Sequence, residues 1–72
     1  MATENLSIGR HNFAISTVPV QGGGCTISVV HRFEDGAETV ETRHDSEFVY
    51  ETDEQALEQG RVLARQIAAR RL

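Results

Sequence analysis

Apolar and polar residues alternate with a period of two through the middle of this chain, then switch to a helical period after Thr52. Between His11 and Val18, Phe13, Ile15 and Thr17 share one side and Ala14, Ser16 and Val18 the other, which predicts a strand with one apolar face. Pro19 has no ladder N–H and ends or edges that strand, with Val20 as a continuation past a bulge. The glycines of Gln21-Gly22-Gly23-Gly24 allow a reversal. A second strand spans Cys25 to Phe33, with Cys25, Ile27, Val29, His31 and Phe33 on the core side and Thr26, Ser28, Val30 and Arg32 opposite.

Glu34-Asp35-Gly36-Ala37 predicts a hairpin turn on its Asp-Gly signal. Thr39 to His44 reads as a third strand, polar on both faces, with Val40 its one strongly apolar residue. Asp45-Ser46 breaks it, and Phe48-Val49-Tyr50 reads as a short strand or an extended lead into the helix. Residues 1–10 have no clear period and are expected to form a loose arm, with a short edge strand at Leu6 to Ile8.

Thr52 as N-cap and Gln55 three residues later make a capping box, and Asp53 and Glu54 suit the positive end of the helix dipole. The predicted helix starts at Asp53 and carries Ala56, Leu57, Gly60, Leu63, Ala64, Ile67 and Ala68 on one stripe, with Arg71 and Leu72 near its end. Gly60 costs about 1 kcal/mol in a helix interior, so a close approach to Phe48 or to a strand backbone is expected there. Val62 lies off the stripe, a candidate helix-to-helix contact. The fold class is therefore α+β: a three- to four-stranded antiparallel β-sheet with one C-terminal helix packed across one face. Residues 11–72 form a single β-β-β-α domain behind the arm.

With 72 residues the chain buries only roughly 60 to 65% of its unfolded surface, so its core is thin. One cysteine allows no internal disulfide, and the three histidines lack a short metal-ligand spacing. Self-association is the remaining support, and no cofactor is expected. The net charge of -4 opposes a phosphate backbone unless the cations are sorted. Arg61, Arg65, Arg70 and Arg71 do gather in the helix, where basic residues near the C-terminus also favour the dipole. The N-terminus has no secretory pattern and no stretch reaches the apolar length of a membrane span, so a cytoplasmic location is expected, which the unpaired cysteine suits.

Candidate chemistry is sparse. Cys25 has no activating neighbour, and His31 lies roughly 20 Å away along an extended strand, so a buried small residue is the expected role. A turn centred on Asp35 and Gly36 pairs His31 with about residue 40 and leaves His44 nearer Ile27, so His11, His31 and His44 are not expected to converge on a metal. Asp45, Glu47, Glu51 and Asp53 fall in polar connectors and read as solvated charge rather than paired catalytic carboxylates. The glycine run leads into a strand, not a helix, and the chain has no lysine, which argues against a phosphate loop. A non-enzymatic protein is expected.

Gly22-Gly23-Gly24-Cys25-Thr26-Ile27-Ser28-Val29-Val30, a charged hairpin, and Thr52-Asp53-Glu54-Gln55-Ala56-Leu57 entering an amphipathic helix together resemble the small bacterial β-β-β-α modules of the HicB-like antitoxin type. The resemblance spans Phe13 to Leu72 and departs at Glu38 to His44, where that type has an apolar strand segment. It implies a sheet-and-helix homodimer that grips a small protein partner. Readers that lay a three-stranded sheet into a DNA groove share the element order but need basic and aromatic side chains on the sheet, and only Arg32 is basic among Thr26, Ser28, Val30 and Arg32.

The expected function is thus a small interaction module, a homodimer or a binder of a small protein. Val18, Val30 and Val40, read as lying on the sheet face away from the helix, and Arg61 and Arg65 are the candidate partner contacts. The alternative is a nucleic-acid-associated or antitoxin-like regulator acting through the arginine cluster.

Overall fold

The computed structural model describes residues 2–70. Four strands, β1 (Thr3–Ile8), β2 (His11–Pro19), β3 (Cys25–Asp35) and β4 (Glu38–Asp45), are followed by one helix, α1 (Asp53–Arg70). The strands pair antiparallel in chain order, each with the next, and α1 packs across one face of the sheet. This is the expected α+β class. Arg71 and Leu72, counted at the end of the stripe, lie outside the described residues.

Residues 2–10 are more ordered than the expected arm. Thr3 to Ile8 pairs along its length with Ser16 to His11, and Glu4, Leu6 and Ile8 alternate with exposed Thr3, Asn5 and Ser7. Glu4 on the inner side keeps this alternation from being an apolar period. Two contacts anchor the strand: Arg61 of α1 donates to both carboxylate oxygens of Glu4 at 2.8 and 2.9 Å, and the Ala2 N–H donates to Thr17 Oγ1 at 2.7 Å.

The β3–β4 reversal differs from the expected one by a single step. Asp35 pairs with Glu38, so Gly36 and Ala37 are the two central residues, and Gly36 at φ 63° takes the first of them, as a type II′ turn requires. His31 therefore stands opposite Thr42 rather than residue 40, and His44 opposite Val29. The same register corrects the face assigned to Val40. It pairs with Phe33 and so belongs to the helix side of the sheet, not to the side of Val18 and Val30.

Phe13, Ile15, Cys25, Ile27 and Val29 supply the bulk of the core, as the two strand patterns predict. The helix meets them with Ala56, Gly60, Ala64, Ile67 and Ala68, four of which are small, so its backbone lies close to the sheet. A Cβ on Gly60 would run into Ile15 Cγ2. The close approach expected at Gly60 is thus to a β2 side chain; Phe48 is 74% exposed and takes no part. At the other end, Cys25 and Tyr50 exchange backbone bonds of 2.9 and 2.7 Å in an isolated bridge, and Gly24 at φ 80° comes so near Tyr50 that no side chain fits. The cap forms as expected on Thr52, whose Oγ1 accepts from the Gln55 N–H at 3.1 Å, but Gln55 Oε1 reaches back to the N–H of Glu51 at 3.3 Å.

Candidate functional site

Three histidines predicted to stay apart are brought into one row on the helix side of the sheet. His11 and His31 occupy core positions of neighbouring strands, and His11 Nδ1 lies 2.8 Å from His31 Nε2. Their rings stack between Phe13 and Phe33, with centroids 4.7 Å apart for His11–Phe33 and for Phe13–His31. His44 continues the row, its ring centroid 6.5 Å from that of His31, and its Nε2 is buried without a hydrogen-bond partner. The cause is the register: β2 pairs Phe13 with His31, and the shifted turn sets His44 diagonally across from it. Such a His–His contact holds one proton between two nitrogens, one donating and one accepting. Among the described residues no group of three His, Cys, Asp or Glu side chains is placed to hold a metal ion.

An apolar groove of about 500 Å³ opens beside this row, lined by Ile8, His11, Phe33, Ala68 and Ala69, with Arg10 and Arg65. It exists because the helix ends its packing at Ala68 while the sheet runs on toward the Gly36 turn. No acid-base or nucleophilic pair faces it beyond the edge of His11.

The candidate partner contacts are dispersed. Val18 is 40% exposed near the end of β2, while Val30 is half-buried beside its cross-strand partner Ala14, with Asn12, Ser16, Ser28 and Arg32 around the pair, so the sheet face away from the helix is mostly polar and its apolar residues are scattered. Val40 is 43% exposed on the helix side because α1 lies over β1, β2 and β3 and makes no contact with β4. Arg61 is held by Glu4, whereas Arg65 and Arg70 are exposed. On β4, Glu41 accepts from Arg32 at 3.0 Å and Arg43 donates to Asp45 at 3.0 Å, both at the surface.

Cys25 is buried, with Sγ donating to the Thr52 carbonyl at 3.6 Å. Burial first, and the neighbouring Asp53 carboxylate next, push its thiol pKa up, the opposite of what a nucleophile needs. Asp45 is shifted the other way: a hydrogen bond from Ser28, then one from Arg43, holds its carboxyl below the usual range. No helix among the described residues is long and apolar enough to cross a membrane. No family model, curated protein or solved structure matches this chain.

Proposed function

We propose that this protein is a non-enzymatic interaction module that works as a homodimer in the cytoplasm. One observation carries the reading: α1 leaves β4 bare, so an eight-residue edge strand keeps its free backbone groups and its Val40 uncovered. A helix about 10 Å across spans roughly two strands set 4.8 Å apart, so one helix is too narrow for a four-stranded sheet. Edges of this kind attract another strand unless they are covered. The sequence resemblance to HicB-like modules points the same way, toward a dimer that grips a small protein, and the unpaired Cys25 suits a reducing compartment.

The nucleic-acid alternative draws less support, because Arg61 is tied to Glu4 and the net charge is -4. Native mass spectrometry of the untagged protein at micromolar concentration tests the proposal. A species of two 8.0 kDa chains is expected, and a chain that stays single throughout that range overturns it.

A further inference from the structure

The backbone of β4 says which groups a second copy would meet. The Ser46 N–H donates to the Ile27 carbonyl at 3.0 Å, directly across the β3–β4 ladder, so these two residues form a hydrogen-bonded pair. In an antiparallel ladder such pairs alternate with non-bonded ones. The N–H and C=O groups of His44, Thr42 and Val40 therefore turn toward β3, and those of Asp45, Arg43, Glu41 and Thr39 turn outward to the free edge. β4 carries no proline, and its eight residues pair with β3 in unbroken register. The other edge of the sheet differs, because Arg61 clamps α1 onto β1 through Glu4.

Two copies pairing about a two-fold axis must set outward-facing residues opposite one another. Two registers satisfy this with near-complete overlap of the strand. In the first, centred on Glu41, each Glu41 faces its own equivalent, and like charges directly opposite are destabilising. In the second, centred on Thr42, each Glu41 faces the second copy's Arg43, Thr39 faces Asp45, Val40 faces His44 and Thr42 faces itself. Arg32 already sits on the inner side of Glu41, and Asp45 beside Arg43, so the seam would continue an alternation of charge that each chain begins alone.

We infer that the partner of β4 is a second copy of this chain, joined antiparallel through the outward groups of Thr39, Glu41, Arg43 and Asp45 in the register centred on Thr42. The inference rests on the homodimer reading and adds the edge, the register and the residues that select it. Its charges act as a lock: the mixed signs on β4 discourage general strand addition while matching their own sequence run backwards. An axis normal to the sheet puts both helices on one face of an eight-stranded sheet, with Val40, Thr42 and His44 of each copy on the floor between them.

Glu41→Arg and Arg43→Glu variants test it, each alone and the two mixed, by native mass spectrometry beside the wild type. Glu41 and Arg43 are exposed, with side chains 54% and 67% accessible, so both variants are expected to fold, which circular dichroism checks. Each variant alone sets like charges across the seam twice and should dimerise about ten-fold more weakly or worse. The mixture restores opposite charges at both places, and a heterodimer of intermediate mass should dominate. Thr42→Cys should in addition form an intermolecular disulfide on mild oxidation, since non-bonded antiparallel pairs bring Cα atoms to about 4.5 Å. Variants that dimerise like the wild type, or a mixture that yields no heterodimer, overturn the seam while leaving a dimer through another surface. A wild type that never dimerises overturns the homodimer reading itself.

Discussion

Gly60 shows how one residue sets the distance between layers. Its helix propensity is poor, and replacing it with Ala would gain about 1 kcal/mol in an exposed helix. Here the added Cβ meets Ile15 Cγ2, a fully buried branch in the centre of β2. Gly60→Ala is expected to destabilise the protein by roughly 1 to 3 kcal/mol in urea unfolding, the range of an overpacked core. In an Ile15→Ala background, which removes that branch, the same change should become neutral or stabilising; an equal loss in both backgrounds would place the strain elsewhere. The sequence showed that Gly60 needed a close neighbour but not which one, since that depends on how the helix crosses the sheet. The histidines were hidden for a related reason. His31 stood on the core face in the pattern, yet its contact with His11 follows from strand pairing, and His44 joins the row only because Gly36 takes the first turn position rather than the second.

Among the elements, α1, β2 and β3 were legible, because each carries a strong period and ends at a cap, a proline or a glycine. β1 is legible only at Leu6 to Ile8, since its inner row begins with Glu4, whose charge is met by Arg61, far along the chain. Val18, Val30 and Val40 do not share the outer face as their pattern suggests, because Val40 falls on the helix side and serines and threonines separate Val18 from Val30. The β3–β4 hairpin carries a pH signature. Asp45 has its pKa lowered by Ser28 and then Arg43, so the unfolded chain takes up its proton first as pH falls. Its contribution to stability is present above the unfolded value of about 3.9 and is lost as pH falls through the lower folded value. The melting-temperature gap between wild type and Asp45→Asn should therefore be largest near neutral pH and close in acid; a gap independent of pH would mean that the charge of Asp45 plays no part.

At the scale of the whole molecule, the chain is long and thin for its size. Its accessible surface is 5014 Å², against about 4,500 Å² for a typical monomer of this mass. Its radius of gyration is 12.6 Å, against about 11 Å for a compact domain of this length. Across the sheet, α1 covers β1, β2 and β3 and leaves β4 as the flank at which a second copy would join. Residue-resolved hydrogen exchange across a dilution series tests this most directly. At concentrations where two chains associate, the amides of Thr39, Glu41, Arg43 and Asp45 should be protected like those of Val40, Thr42 and His44, which already bond to β3. On dilution only the first four should lose that protection. If those four exchange freely at every concentration, β4 is a solvated edge and the account of this protein as a β4-joined homodimer is wrong.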